Sequence, residues 1–395
     1  MSVIHRRSWE IKGAVVVEKF RNISDLRLAA FRALPKPIFE YMDGGSEDEL
    51  SLRDNMRDFD HVKIIPKVLN DVSTVRRSVE IFGSTISAPI VISPTGLSGL
   101  YHPEGELAVA RAASEMNLAY SLSTLSTYSL EKVAACSPGP KLLQVYIFKD
   151  RGITRDLIAR AVEAGYDGLI VTLDTPVGGN RERDWRNGMT VPPKLGLSSL
   201  LNYSRRPWWS LPALTQSHRF RFGNFDLDND ISAGEGPSVS QFVNSQFDRS
   251  LTWSDIEWLK GLWGKSLAVK GVLSMEDASQ AVKAGADTIF ISNHGGRQLD
   301  GAVSPISQIG AVADKLAGSA AIICDGGIRR GSHILKALSL GATACSIGRP
   351  YLYGLAVGGE NGVRRALSLL IQEFDRAMTL SGVADIRSLD RSLIV

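Results

Sequence analysis

From residue 89 onward, short apolar runs recur along the chain, each followed by Gly, Pro, Asp or Ser and then by a stretch with apolar residues at helical spacing. The runs Pro89–Ser93, Ala119–Leu125, Leu142–Ile147, Gly168–Thr172, Leu267–Lys270, Thr288–Ser292, Ala320–Cys324 and Ala344–Ile347 predict eight strands. Between them, Gly105–Met116, Thr154–Ala164, Met275–Ala284 and Gly331–Ser339 predict helices with Ala-rich packing faces. Strands joined by helices run parallel, and eight such units predict an α/β fold, a closed (β/α)8 TIM barrel, ahead of a doubly wound open sheet.

The spacing breaks once, where 94 residues lie between Thr172 and Leu267. This predicts a long insertion after the fourth strand, at 178–250. Within it, residues 185–225 contain Arg186, Lys194, Arg205, Arg206, Arg219 and Arg221 but no Asp or Glu, together with Trp185, Tyr203, Trp208, Trp209, Phe220, Phe222 and Phe225. Basic and aromatic residues in one segment suit an anionic membrane interface, or a lid or subunit contact. Residues 1–88 are expected to form an N-terminal helical segment packing on the barrel. It includes Ser24–Ala33 and a second helix introduced by Leu34-Pro35-Lys36-Pro37. The barrel is expected over 89–380, with 381–395 as a C-terminal tail.

Composition narrows the function little. The 395 residues carry a net charge of +3, which gives no sign of a nucleic-acid partner. Cys136, Cys324 and Cys345 are far apart, and the last two sit in apolar runs, so buried free thiols are expected rather than a disulfide framework or metal site. No apolar stretch approaches the roughly 18 residues that span a bilayer. The start of the chain, with His5-Arg6-Arg7, lacks the apolar core of a secretory signal.

Candidate chemistry lies at the strand ends, which in a barrel face the active site. They carry Pro94-Thr95-Gly96, Ser123, Gln144 and Tyr146, Thr172 and Asp174, Lys270, and then Ser292-Asn293-His294-Gly295-Gly296-Arg297-Gln298-Leu299-Asp300. His294 can serve as a base near neutral pH, and Arg297 can grip a carboxylate through two parallel hydrogen bonds. After the seventh and eighth strands come Asp325-Gly326-Gly327-Ile328-Arg329-Arg330-Gly331 and Gly348-Arg349, the usual barrel position for a phosphate.

These residues resemble the FMN-dependent L-2-hydroxy acid oxidases and dehydrogenases, a family that includes glycolate oxidase, L-lactate dehydrogenase and (S)-mandelate dehydrogenase. The resemblance runs from about residue 24 to the C-terminus. It is carried by Leu34-Pro35 with Tyr41 and Gly44-Gly45, by Ser93–Gly96, Gln144-Val145-Tyr146, Thr172–Pro176, Arg181–Asp184 and Lys270-Gly271, by the His294 nonapeptide, and by the two phosphate-site motifs. It implies FMN across the barrel mouth, with the phosphate on Gly327, Arg329, Gly348 and Arg349 and the ring against Pro94, Thr95 and Gly96. Ser123, Gln144 and Thr172 would bond the ring edge, with Lys270, Ser292 and Asp325 nearby. Arg181 and Arg297 would clamp the substrate carboxylate, helped by Tyr41 and Tyr146. His294 would take a proton, from the hydroxyl or from the α-carbon, and Asp174 would stabilise the resulting imidazolium.

The resemblance also bears on substrate and acceptor. Gly96 and the basic-aromatic insertion are similar to features of the membrane dehydrogenases, where oxidases commonly carry Ala at the first position. This implies a quinone-type acceptor and peripheral attachment to the cytoplasmic side of the membrane, with a soluble, oxygen-using, peroxide-forming oxidase as the alternative. Leu125 would wall the space for the α-substituent, which favours L-lactate over (S)-mandelate or another aryl acid. A homotetramer is expected from the family. An isomerase using the same phosphate site, or a scaffold without catalysis, are the other classes considered.

Overall fold

The structure, a computed structural model, describes residues 17–189, 203–225 and 245–395. Lys194 and the His5-Arg6-Arg7 stretch lie outside the described residues. The described residues begin with a segment that includes helices Ile23–Ala33, Lys36–Asp43 and Leu50–His61. An antiparallel hairpin follows, β1 (Val79–Ile81) with β2 (Ser84–Ile86). Eight parallel strands then close a barrel: β3 (Ile90–Ile92), β4 (Ala119–Ser123), β5 (Lys141–Val145), β6 (Gly168–Thr172), β7 (Ser266–Val272), β8 (Thr288–Ser292), β9 (Ala321–Asp325) and β10 (Ala344–Ile347). β10 pairs with β3, so the sheet has no open edge and the doubly wound alternative is excluded.

Because side chains alternate along a strand, each strand sends every second residue inward. The lower inward positions are apolar: Val91, Ala119, Leu142, Ile170, Ala268, Phe290, Ile323 and Ala344 form one buried cluster. Ile81, Phe82 and Ile86 of the hairpin join it, and the Phe82 ring stacks 6.5 Å from that of Phe290. The hairpin therefore plugs the N-terminal end of the barrel. Two positions further along, the inward residues turn polar: Ser93, Gln144, Thr172, Lys270, Ser292, Asp325 and Ser346, all buried. This polar layer forms the floor of the mouth.

Most expected helices form within a few residues of their predicted bounds, for example Arg151–Glu163 and Gly331–Ser339. The last α-helix, Arg349–Leu380, is bent at Gly358-Gly359, where the backbone leaves helical angles. The expected tail packs back on the N-terminal segment through an Ile64 to Ile394 bridge and through the amide of Lys63 on the carbonyl of Val395 at 2.6 Å.

The insertion departs from its sequence expectation. Trp209, Arg219, Phe222 and Tyr203 are buried rather than presented to a surface. Arg219 is 1% exposed, donates from Nε to the carbonyl of Gly99 at 2.9 Å, and lies 5.2 Å over the ring of Trp209. The Trp209 indole N–H donates to the carbonyl of Leu100 at 2.7 Å. Part of the basic-aromatic signature thus fastens the insertion to the barrel. Trp185, Arg186, Arg205 and Arg221 still face outward, as do Trp208 and Leu211 on helix Pro207–Thr215, at 81% and 64% exposure. Among the described residues, no helix is long and apolar enough to cross a membrane.

Candidate active site

The polar floor is organised around a buried ion pair. Lys270 Nζ lies 2.6 Å from Asp325 Oδ2 and donates to Ser292 Oγ at 2.9 Å. Ser292 Oγ in turn donates to Asp325 Oδ2 at 2.6 Å and accepts the His294 amide at 3.1 Å, which uses its hydrogen and both lone pairs. Burial alone would raise the Asp325 carboxyl, but the charge and hydrogen bond of Lys270, with serine hydroxyls, hold it below its usual value. The strands thus fix an ammonium group at the bottom of the mouth.

His294 follows β8 directly with φ of +58°, and Gly295 and Gly296 continue in the same left-handed region. Such a backbone is uncommon outside glycine and turns the imidazole away from the strand direction. Its Nδ1 meets Asp174 Oδ1 at 2.9 Å. Room for Asp174 comes from Gly271, at the irregularity in the β7–β8 ladder: a Cβ there would lie 2.7 Å from Asp174 Cβ and Cγ. Gln298 braces the same loop, donating from Nε2 to the carbonyls of Asp174 at 2.6 Å and Val177 at 2.9 Å while its Oε1 accepts the Gly179 amide at 2.9 Å.

Two guanidinium groups face Tyr41, with Cζ of Arg181 and Arg297 at 5.4 and 5.2 Å from its ring centre. Arg297 spends Nη1 on the carbonyls of Tyr41 and Gly44, at 2.7 and 3.1 Å. Arg349 spends three nitrogens on the carbonyls of Met42, Gly295 and Gly44, at 3.1, 2.9 and 2.7 Å. The carbonyls of Tyr41, Met42 and Gly44 belong to the end of helix Lys36–Asp43, where unpaired acceptors and the negative end of the helix dipole favour cations, and that of Gly295 to the His294 loop. The same contacts fix Tyr41. Burial, then the like charge of Arg181, lowers Arg297 from its usual value, and burial followed by Arg297 brings Arg349 down to about 10. The Tyr146 hydroxyl is raised, by burial first and then by the charge of Asp174.

These groups surround one cavity of about 1030 Å³ at the C-terminal ends of the strands. Lys149, Arg181, Arg249, Lys270, Arg297, Arg329 and Arg349 line it against two carboxylates, Asp184 and Asp325, so it is built for anions. Its size and residues fit a flavin nucleotide. Gln144 is 2% exposed, its Oε1 accepts from Ser123 Oγ at 3.2 Å, and its Nε2 is buried with no partner. A buried unpaired amide costs roughly 1–3 kcal/mol, which a ring acceptor would recover. At Gly327 (φ +75°) a Cβ would fall 1.7 Å from the Asn55 carbonyl oxygen, so only glycine lets the loop lie here. The first amide of helix Gly331–Ser339 is taken by Glu373 Oε2 at 3.0 Å, which leaves an anion to Gly327, Gly348, Arg329 and Arg349.

Of the residues singled out in the sequence, Tyr41, Pro94, Thr95, Gly96, Ser123, Leu125, Tyr146, Arg181, Lys270, His294, Arg297, Asp325, Gly327, Arg329, Gly348 and Arg349 line this cavity. Asp174, Gln144 and Ser292 stand behind its wall. Thr172 lines a smaller adjoining cavity of about 100 Å³ with Tyr146, Thr175 and Phe247. Sequence reasoning missed Tyr101 and Phe222 on the wall, and Gln298 as the brace of the Asp174 loop. Gln298 carried a signal in its place in the nonapeptide, and Phe222 in the basic-aromatic segment, while Tyr101 carried none.

Comparison with known proteins agrees with this geometry. The family model for FMN-dependent dehydrogenases matches residues 30–395. Glycolate oxidase 3 of Oryza sativa subsp. indica is 38% identical over 379 residues, covering 96% of this chain and 97% of that protein. An L-lactate dehydrogenase of Caulobacter vibrioides is 38% identical over 376 residues, with coverage of 94% and 97%. The crystal structure of a monotopic membrane protein, (S)-mandelate dehydrogenase, superimposes with a TM-score of 0.89 at 37% identity, covering 95% of this chain and 99% of that one. The chain belongs to the FMN-dependent dehydrogenase family, and its chemistry is the FMN-dependent oxidation of a 2-hydroxy acid.

Proposed function

We propose that the substrate is L-lactate, oxidised to pyruvate, and that the electrons pass to a quinone at a membrane surface. The observation that carries the catalytic part is the His294–Asp174 pair at 2.9 Å, on the cavity that Arg181 and Arg297 also face. With Nδ1 donating to Asp174, Nε2 is the imidazole atom left to take the substrate proton. Asp174 then stabilises the imidazolium. Arg297, with Nη1 committed to carbonyls, offers Nε and Nη2 to the substrate carboxylate as a two-pronged donor, and Arg181 closes on it from across Tyr41. The hydroxyls of Tyr41 and Tyr146 donate to the substrate oxygens.

FMN, when bound, supplies the two-electron acceptor. Pro94, Thr95 and Gly96 would face its ring, and Ser123, Gln144 and Thr172 would bond the edge. The Lys270 ammonium, held by Ser292 and Asp325, would stand by with positive charge. Gly327, Arg329, Gly348 and Arg349 would take the phosphate.

Leu125 supports lactate, since an aliphatic wall suits a methyl group, and the Caulobacter relative is named for that acid. Gly96 bears on the same wall: a Cβ there would meet Leu125 O and Cβ at 3.1 and 3.2 Å, so alanine would press Leu125 toward the substrate. In steady-state assays, kcat/KM for L-lactate should exceed that for (S)-mandelate by about tenfold or more. A soluble quinone should accept electrons faster than oxygen. Preference for the aryl acid would refute the lactate assignment, and faster turnover with oxygen the quinone one.

Trp208 and Leu211 support peripheral attachment. They share one face of their helix, beside Arg205, while Trp209 anchors the other face. Wild-type protein should sediment with anionic phospholipid vesicles, and the double variant Trp208→Ser, Leu211→Ser should bind them about tenfold less or weaker. Equal sedimentation of the two proteins would place the contact elsewhere.

A further inference from the structure

The buried half of the insertion does more than hold it in place. Asn224 is 4% exposed and satisfies both ends of its amide within the loop after β4. Its Oδ1 accepts the Leu130 amide at 2.8 Å, while Nδ2 donates to the carbonyl of Thr124 at 3.1 Å and to Ser126 Oγ at 3.0 Å. The Gly223 amide donates to the carbonyl of Ser126 at 2.8 Å, and a Cβ at Gly223 would fall 2.5 Å from the Ser129 nitrogen. The residue these bonds enclose is Leu125. The loop after β3 is tied to the same place, because Glu106 Oε1 accepts both the Ser98 amide at 2.8 Å and the Thr127 amide at 2.9 Å, and Arg219 holds Gly99.

A second set of contacts runs through aromatic rings. Phe222 lines the catalytic cavity, and its ring packs edge-on against Phe225 at 6.4 Å. Phe225 packs on Phe148 at 6.1 Å, and Phe148 on Tyr146 at 6.1 Å. The insertion therefore reaches both the expected α-substituent wall and the support of a cavity tyrosine.

We infer that residues 219–225 complete the substrate pocket: Phe222 forms part of the wall facing the α-substituent, and Asn224 is a positioning residue that sets Leu125. The part concerning Leu125 rests on the substrate role proposed above. The insertion is thus a specificity element as well as a surface segment, because the clasp fixes how much room the α-substituent has. Loosening it enlarges the pocket without touching the proton-transfer pair or the phosphate site.

The test compares flavin-loaded wild type with Asn224→Ala, Asn224→Ser, Phe222→Ala and Leu125→Ala. Its readout is the ratio of kcat/KM for the two best-accepted L-2-hydroxy acids of unequal side-chain size. Asn224→Ala and Phe222→Ala should shift that ratio toward the larger acid by about tenfold, mainly through KM. FMN content and visible spectrum should stay as in wild type. Asn224→Ser, which keeps a hydrogen-bonding atom, should fall between. If Asn224→Ala does not retain flavin, Asn224→Ser and Phe222→Ala decide in its place. A shifted ratio in Leu125→Ala with unchanged ratios in the insertion variants overturns the inference. Shifted ratios in the insertion variants with none in Leu125→Ala remove Leu125 from its proposed role and leave the insertion wall standing.

Discussion

His294→Gln is expected to retain FMN and its visible spectrum, yet to lose bleaching of the flavin by substrate by roughly a thousandfold or more in anaerobic stopped flow. The geometry dictates both halves. His294 belongs to the loop after β8, and its side chain contacts Asp174 rather than the Gly327–Arg329 and Gly348-Arg349 region, so cofactor retention does not depend on the imidazole. Glutamine can still hydrogen-bond Asp174 but has no atom that takes a proton near neutral pH. Bleaching at a near-normal rate would remove His294 from the proton-accepting role.

Lys270→Met should have the largest effect on stability. In the native floor Asp325 is buried, and Lys270 Nζ at 2.6 Å opposes the cost of its charge. Removing the ammonium leaves a buried carboxylate with serine hydroxyls alone, a change of the kind that costs about 3–5 kcal/mol. The pH dependence should invert as well. In the wild type Asp325 is held below its usual value, so its contribution is present above the ordinary carboxylate range and is lost as pH falls through the native value. In Lys270→Met burial dominates and raises the carboxyl. The variant should then gain stability on moving from neutral pH into the carboxylate range, where the buried group is neutral. Thermal unfolding at neutral and mildly acid pH measures both effects. Lys270→Met with Asp325→Asn should recover most of the lost stability without recovering turnover. An unaltered midpoint in Lys270→Met would show that the pair does not bear on the fold.

Much of the barrel was legible because parallel strands buried on both faces read as continuous apolar runs, and because the polar end of each run coincides with the barrel mouth. The hairpin at 79–86 was not. Its strands are three residues each, and only the closed barrel beneath Phe82 gives them a partner. The insertion shows a different limit. Composition located a basic-aromatic segment, but Arg219 is buried by the carbonyls of Gly99 and Leu100, about 120 residues earlier in the chain. Nothing local distinguishes it from an exposed arginine such as Arg205. Arg349 is similar: the sequence suggested a phosphate ligand, and the structure adds that it joins the Tyr41 helix to the His294 loop. Gln298 lay within the nonapeptide, yet its brace on the Asp174 loop depends on a fold-level contact with β6's outgoing chain.

The central claim is that this cavity oxidises a small L-2-hydroxy acid using its own flavin, with lactate preferred. Anaerobic mixing of the purified flavoprotein with L-lactate tests it most directly. The account predicts loss of the visible flavin absorbance with formation of an equimolar amount of pyruvate, no loss with D-lactate, and recovery of the absorbance when a soluble quinone is added. Flavin absorbance that stays unchanged with L-lactate and with every other L-2-hydroxy acid tried would contradict it.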